Sequence, residues 1–149
     1  MSAALHLARV DDMEAVVRLV TAFHEEEGIT LGEDTRRAAL QPLLEGSPYG
    51  AVYLIGPTRA PIGYIAITFS WSLEFGGLDG MIDEFFLRPA VRGRGIATEV
   101  LMTLPNQLAR AGLRAIHLEV DLGNSTARRL YERAGFKARD NYALMSKVL

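Results

Sequence analysis

The sequence predicts an α/β protein whose single domain, residues 1–149, is built on one mixed sheet. Its 149 residues are 49% hydrophobic and 23% charged, which is ordinary for a globular chain able to bury a core. Stretches of strand-like composition alternate with stretches of helical apolar spacing, in the order β-α-α-β-β-β-α-β-α-β. The strand, helix and strand near the centre favour a parallel pair inside an otherwise antiparallel sheet.

The first third of the chain predicts one strand and two helices. "LHLAR" alternates apolar and polar residues and indicates a short strand. Asp11, followed three residues later by Glu14, has the spacing of a capping box and predicts a helix from about Asp12 to Glu26. A second helix is predicted from about Thr35 to Leu44, and Pro42 should kink or shorten it because proline lacks the backbone N–H.

The middle of the chain predicts antiparallel strands. "YGAVYLIG" and "PIGYIAITFSWSLE" are rich in β-branched and aromatic residues and flank the turn-forming "PTRAP", so they predict a hairpin. "FGGLDG" predicts a second turn, and "MIDEFFL" predicts the strand that follows it.

The last third predicts two helices and two strands. Apolar residues at helical spacing predict a helix from near Gly95 to Gly112, which Pro105 should bend. "AIHLEVD" predicts a strand, and "NSTARRLYERAGF" predicts a short helix closed by Gly135 as a C-cap. "NYALMSKVL" predicts a last strand, and "FKAR" allows one more short strand before it.

Composition excludes several classes of function. A net charge of -2 gives no overall attraction to nucleic acid or to an anionic membrane. The absence of cysteine excludes disulfides, thiolate metal sites and a cysteine nucleophile. No apolar run approaches the ~20 residues of a membrane helix, and the N-terminus lacks a signal-peptide pattern. A cytoplasmic protein without a nucleic-acid or membrane partner is therefore expected.

Two glycines alternate with two arginines in "RGRG", residues 92–95, between the end of a predicted strand and the start of a predicted helix. Gly93 and Gly95 permit close backbone approach, and the first N–H groups of the helix are unpaired at its positive end. Arg92 and Arg94 can pair with phosphate oxygens, so an anion such as a pyrophosphate is favoured over a tight turn with solvated arginines. "GRGIAT" lacks the third glycine of a dinucleotide fingerprint and the ending of a P-loop.

The hexapeptide "RGRGIA" also fits the pattern [QR]-x-x-G-x-[GA], with Ala97 at a last position where glycine is common. Together with "DEFFLRPAVRGRGIATEVL" and "HLEVDLGNSTARRLYERAGF", it resembles the GCN5-related N-acetyltransferases (GNAT family), and the predicted element order agrees with theirs. The resemblance implies the GNAT acyl-CoA N-acyltransferase fold, whose mostly antiparallel sheet has a central parallel pair splayed open for acetyl-CoA.

The resemblance also implies where acetyl-CoA binds. The pantetheine arm would pair with the backbone of residues 85–87, and the pyrophosphate would sit on the amides of residues 93–98. Asn124 would reach the cofactor arm, although a plain N-cap explains it equally well. The implied cofactor-binding residues are Phe85, Phe86, Leu87, Arg92, Gly93, Arg94, Gly95, Ile96, Ala97, Thr98, Asn124 and Ala127.

The catalytic residues implied by the resemblance are Tyr131, Asp83 and Glu84. Tyr131 lies on the inward face of its helix, as a core tyrosine would, and the family places it beside the thioester sulfur as a proton donor. Asp83 and Glu84 should point to opposite faces of their strand. The family often aligns an acid with Asp83, and some members use that acid or a bound water to accept the proton of the amine. Glu84 would then be a surface or partner-facing carboxylate, and the roles of Asp83 and Glu84 swap if the register shifts by one. The Leu87 N–H would stabilise the oxyanion.

The sequence gives fewer clues to the amine that accepts the acetyl group than to the cofactor. Glu26 and Glu27 near the end of the first helix could form an acidic wall for a cationic or polyamine-like substrate, or could be a solvated helix end. Trp71 and Glu74 could line the same pocket, or Trp71 could pack at a strand end or a dimer interface. The three histidines have no ligand spacing, so no metal is expected.

The function favoured by these residues is transfer of the acetyl group from acetyl-CoA to a primary amine of a small molecule, by direct attack in a ternary complex. Two alternatives stay open. One keeps the fold and changes the acceptor to a protein N-terminus or lysine. The other is a non-catalytic acyl-CoA-binding regulatory domain. A homodimer is a further expectation from the family.

Overall fold

A computed structural model describes residues 4–149, which form five strands and four α-helices. Two 3₁₀ turns, Val10–Asp12 and Pro89–Val91, precede α1 and follow β4. In chain order the elements are β1 (Leu5–Leu7), α1 (Met13–Glu27), α2 (Glu33–Leu44), β2 (Gly50–Ile55), β3 (Gly63–Ser72), β4 (Gly77–Leu87), α3 (Ile96–Arg110), β5 (Ala115–His117) and α4 (Ser125–Arg133). Within the described range, no helix combines the length and apolar character needed to cross a bilayer.

The strands form one sheet in the order β1-β2-β3-β4-β5. The first four strands are antiparallel to their neighbours, whereas β5 is parallel to β4. The predicted mixed sheet is therefore confirmed, and α3 provides the long crossover that a parallel pair requires.

Alternation along the strands gives the sheet two apolar faces. Leu54 and Phe86 lie in a cluster with residues of α1 and α2, whereas Ile55 and Leu87 lie in a second cluster with residues of α3. Burying one side chain of this size contributes about 1.5–3 kcal/mol, so β4 is held by packing on both faces. This packing fixes the strand that carries the predicted catalytic acids.

The parallel pair separates soon after it forms. β4 and β5 are paired only where residues 79–81 meet residues 115–117. Beyond that point β4 continues to Leu87, while β5 ends at His117 and the chain leaves the sheet. The resulting gap between the two chain segments is the cleft that most of the predicted site residues line.

Two local predictions in the first part of the chain are wrong. The capping box of Asp11 and Glu14 does not form, because the Asp12 carboxylate accepts the Arg9 N–H at 2.9 Å and Glu14 pairs with Arg37 at 2.7 Å. The turn predicted at "FGGLDG", residues 75–80, is also wrong over most of its length. The turn lies at residues 73–76, and β4 already begins at Gly77, which pairs with Ser72. Cross-strand pairing outweighs the turn preference of glycine there.

The predicted last strands are absent from the described chain. Residues 137–149 form neither the strand at "NYALMSKVL" nor the short one at "FKAR", and their side chains are exposed. The parallel pair consequently lies at one edge of the sheet and not at its centre. α2 and α3 both continue past their prolines, Pro42 and Pro105.

Candidate active site

The cleft between β4 and β5 has a volume of about 770 Å³. Its walls are the end of α1, the second half of β4, the turn before α3, the first turn of α3, and α4 with the loop before it. The cleft gathers most of the residues that the sequence singled out, although they come from segments more than a hundred positions apart.

The backbone of β4 faces this cleft. The Arg88 N–H points away from the cleft, to the Ile62 carbonyl beside β3, at 2.8 Å. Since backbone groups alternate in direction along a strand, those of Phe85 and Leu87 point to the cleft. The Leu87 carbonyl accepts a hydrogen bond from Arg92 Nε at 2.9 Å, in agreement with that direction. The edge of β4 thus offers backbone donors and acceptors to a molecule lying along it.

A β-bulge at Asp83 changes the arrangement of the two acids. Ile82 is opposite Ile67 and Glu84 is opposite Ala66, so Asp83 is an extra residue without a partner in β3. The bulge interrupts the alternation between Ile82 and Glu84, and both acids line the cleft, while their orientation to opposite faces stays a prediction. The sequence shows no glycine at the bulge that would have indicated it.

Glu84 is held by a chain of hydrogen bonds that runs into the core. Its two carboxylate oxygens are 2.8 Å from the Tyr64 hydroxyl and 2.7 Å from His24 Nε2. Arg36 Nε donates to His24 Nδ1 at 3.2 Å, so Nδ1 carries no proton and Nε2 is the donor to Glu84. Arg36 is 7% exposed and also donates to the Leu31 carbonyl at 3.0 Å. Burial, followed by the Glu84 charge, raises the pKa of Tyr64, which keeps its hydroxyl a donor.

Asp83 is in a different state from Glu84. Among the described residues, no hydrogen bond ties down its carboxylate, and its side chain is exposed to the cleft. Desolvation by the cleft walls raises the pKa of Asp83, and the charges of Glu84 and Glu119 raise it further against the opposing effect of His24. Asp83 therefore combines a raised pKa with a carboxylate that no described residue hydrogen-bonds.

The turn before α3 has the geometry of an anion site. Gly93 and Gly95 have φ of 79° and 81°, a left-handed conformation that favours glycine. A Cβ added to either glycine would meet no atom within 4 Å, so the space above this backbone is open. α3 begins at Ile96 and directs the unpaired N–H groups of its first turn to the cleft. This donor set fits a pyrophosphate.

The two arginines of the turn behave differently. Arg94 does not line the cleft. Arg92 does, but its guanidinium bridges to the Glu26 carboxylate at 2.8 Å and lies 5.5 Å from the centre of the Phe86 ring. In this conformation Arg92 links the turn to α1. The Glu26 carboxylate, which was predicted to bind substrate, forms an ion pair with Arg92.

α4 supplies the opposite wall. Asn124 Oδ1 accepts the Ala127 N–H at 3.0 Å, which is the N-cap role considered for it, and both residues line the cleft. Tyr131 lies further along the same wall and packs against Phe136 with ring centres 6.2 Å apart. Burial raises the pKa of Tyr131, with a smaller contribution from Glu27. The Tyr131 hydroxyl therefore stays protonated well into alkaline solution.

Not every predicted substrate residue belongs to this site. Glu27 lines the cleft, whereas Trp71 and Glu74 lie at the β3–β4 turn, where Glu74 pairs with Arg139 at 2.6 Å. Sequence reasoning missed Glu119, which follows β5 and faces the cleft, and the buried pair of His24 and Arg36. The sequence could have indicated that His24 is buried, because it lies four residues after Val20 on the apolar face of α1.

Comparison with known proteins agrees with this geometry. The sequence profile of the acetyltransferase (GNAT) family matches residues 13–136. The chain is 38% identical to the uncharacterized N-acetyltransferase YycN of Bacillus subtilis strain 168 over 71 residues, which are 48% of this chain and 44% of that protein. The chain spans less than half the length of the curated relatives it matches.

Solved structures share the fold along nearly the whole chain. An integron cassette protein, HFX_CASS3, from the mobile metagenome of Cole Harbour Salt Marsh is 32% identical, with a TM-score of 0.84 over 97% of this chain and 90% of that one. A "predicted acetyltransferase" from Clostridium acetobutylicum, solved with acetyl-CoA, is 20% identical, with a TM-score of 0.78 over 97% of this chain and 96% of that one. The second likeness concerns the fold alone.

Proposed function

This chain belongs to the acetyltransferase (GNAT) family, and on that premise we propose that it transfers the acetyl group of acetyl-CoA to a primary amine of a small cationic molecule by direct attack in a ternary complex. The observation that carries the proposal is one cleft that joins an open anion-binding turn, an unpaired strand edge, two acids at a bulge and a protonated tyrosine.

The donor half of the site rests on backbone groups. The amides at the start of α3 would hold the pyrophosphate, and the edge of β4 at Phe85 and Leu87 would pair with the pantetheine arm. Bound there, acetyl-CoA would supply a thioester carbonyl that an amine can attack, with the CoA thiol as the second product. The Leu87 N–H points into the cleft and can donate to a carbonyl oxygen held along β4.

Two side chains that can hold a proton, Asp83 and Tyr131, line the cleft. An alkyl amine has a pKa of ~10.4 and must lose a proton before it attacks, and Asp83 has the free carboxylate and the raised pKa that suit a proton acceptor. Tyr131 holds a hydroxyl proton that can be donated to the departing sulfur. We assign proton removal to Asp83, directly or through a water, and proton donation to Tyr131.

The acceptor half is acidic. Five carboxylates line the cleft, those of Glu26, Glu27, Asp83, Glu84 and Glu119, against the two guanidinium groups of Arg92 and Arg133. Glu84 accepts hydrogen bonds on both oxygens, so its carboxylate is held in place at the cleft wall, where it can attract a cation. This balance supports a substrate with a second positive charge, such as a diamine, over a neutral amine.

The test is CoA release from acetyl-CoA across a panel of diamines, neutral monoamines, peptides with free N-termini and lysine peptides. The proposal predicts the highest kcat/KM for diamines. A peptide preference would replace it with protein acetylation. Acetyl-CoA binding without turnover on any amine would indicate a regulatory binding domain, and no binding of acetyl-CoA would overturn the donor assignment as well.

An acetyl-CoA-dependent enzyme without cysteine fits a cytoplasmic location, which cell fractionation would check.

A further inference from the structure

One ion pair joins the donor half of the cleft to the acceptor half. Arg92, in the turn before α3, places a guanidinium nitrogen 3.0 and 2.8 Å from the two carboxylate oxygens of Glu26, near the end of α1. Both residues line the cleft, although they lie 66 positions apart in the sequence. The pair therefore connects the turn proposed to hold the pyrophosphate with the acidic wall proposed to face the amine.

The same guanidinium also contacts the edge of β4. Arg92 Nε donates to the Leu87 carbonyl at 2.9 Å, and Arg92 Cζ lies 5.5 Å from the centre of the Phe86 ring. Leu87 is one of the residues whose backbone groups are proposed to pair with the pantetheine arm. A molecule that lies along this edge, with phosphates on the α3 turn, therefore comes within reach of Arg92.

Phosphate oxygens are stronger partners for Arg92 than the Glu26 carboxylate is. The side chains of Arg92 and Glu26 are 43% and 41% exposed, so water screens their attraction and the pair is weak. A pyrophosphate carries more than one negative charge, and a guanidinium can bind its oxygens in a bidentate manner. Arg92 can therefore exchange Glu26 for phosphate oxygens with little loss of its own pairing energy.

This exchange leaves Glu26 without a counter-charge. Glu26 lies in the last turn of α1, where the negative end of the helix dipole favours a cation. Among the described residues, Arg92 is the only one that forms an ion pair with Glu26. An ammonium group of the acceptor is the cation that the proposed reaction would bring to this wall.

We propose that Glu26 is a specificity residue for the second ammonium group of the acceptor, that Arg92 masks it in the free protein, and that Arg92 unmasks it by moving to the phosphates of the cofactor. This inference rests on the proposed function, from which it takes the cofactor and the cationic acceptor. Each ligand then favours binding of the other, because both must separate the same ion pair and the second to bind finds it already separated.

The donor side of the exchange is tested with CoA alone, by calorimetry on the unaltered protein, Glu26→Gln, Arg92→Gln and the double variant. Glu26→Gln should lower Kd for CoA about two- to fivefold, because Arg92 no longer has to leave a carboxylate. The same substitution should lose this effect in the Arg92→Gln protein. Glu27→Gln removes an equal charge from the same wall and should change Kd for CoA less.

Two results of this cycle would overturn the proposal. A Glu26→Gln effect of the same size without Arg92 would come from net charge and not from the exchange. An equal effect of Glu27→Gln would lead to the same conclusion.

The acceptor side is tested with 1,4-diaminobutane, whose Kd is measured by NMR titration with and without saturating CoA. CoA has no acetyl group to transfer, so binding is observed without reaction. CoA should lower this Kd about two- to fivefold in the unaltered protein. Glu26→Gln should lose the effect, whereas Glu25→Gln, at an exposed residue outside the cleft lining, should keep it.

The outcomes separate this inference from the function on which it rests. A diamine Kd that CoA leaves unchanged, or a CoA effect that survives Glu26→Gln, would overturn the role of Glu26 even if diamines are acetylated. Binding of CoA without binding or acetylation of any diamine would overturn the acceptor assignment, and the role of Glu26 with it.

Discussion

Replacement of His24 by leucine should destabilise the protein and weaken binding of a cationic substrate at the same time. The change removes the hydrogen bond to Glu84 at 2.7 Å and the acceptor for Arg36 Nε at 3.2 Å. A hydrogen bond to a charged group contributes about 1.5–3 kcal/mol, and leaving a buried donor unpaired costs about 1–3 kcal/mol more. Part of this loss is offset by about 1–2 kcal/mol from burying leucine.

The net loss is then about 2–4 kcal/mol in the free energy of unfolding. For a domain near 150 residues, 1 kcal/mol shifts Tm by roughly 2–4 °C, so thermal unfolding should show a fall of about 5–15 °C. His24→Gln is the matched variant, because its amide offers both a donor for Glu84 and an acceptor for Arg36. It should keep at least half of the lost stability.

Kinetics separate a positioning role from a purely structural one. With Glu84 no longer oriented, KM for a diamine should rise about tenfold, the equivalent of 1.4 kcal/mol, while KM for a neutral monoamine should change little. A leucine variant with an unaltered Tm, or a glutamine variant as unstable as the leucine one, would refute the role of the hydrogen-bond chain. Equal KM changes for both amines would refute the role of Glu84 in recognising charge.

Further predictions concern the residues of the cleft. Tyr131→Phe should lower kcat about a hundredfold, because the hydroxyl that donates the proton is lost. Tyr49→Phe, at an exposed tyrosine outside the cleft, is the control and should leave kcat unchanged. Equal kcat values for the two variants would remove Tyr131 from the mechanism. Gly95→Asp should raise Kd for CoA at least tenfold in calorimetry, because a carboxylate enters the anion site. Gly112→Asp is the control for backbone strain, since Gly112 has a φ of 110° and open space around it at the end of α3. A similar loss of CoA affinity in both variants would count against the pyrophosphate site. Asp83→Asn should lower kcat/KM by about two orders of magnitude or more. Since Asp83 must be ionised to accept a proton and its pKa is raised, the acid limb of the kcat/KM profile should lie above the ordinary range of an aspartate. Glu119→Gln removes a charge that raises this pKa, so the acid limb should move to lower pH; no movement, or movement to higher pH, would show that Asp83 is not the titrating group.

The conformation of the turn that is proposed to hold the cofactor could be predicted, because it depends on local sequence. The positive φ of Gly93 and Gly95 is a property that glycine alone adopts readily, and a strand followed by a turn and a helix brings α3 amides to the end of β4 whatever the rest of the chain does. The apolar periodicities likewise determined the order of helices and strands, since each buried face repeats at the spacing of its own element.

The side chains of the proposed acceptor half are brought together by contacts between distant segments of the chain, which the sequence alone did not indicate. The bulge at Asp83, next to Glu84, arises from pairing with β3, and no glycine at the bulge marks it. The chain from Arg36 through His24 to Glu84 joins α2, α1 and β4, so it exists only once those three elements are packed. At residues 141–149 the sequence by itself determined a strand pattern, but pairing needs a neighbouring edge, and only the tertiary structure decides which edge is within reach.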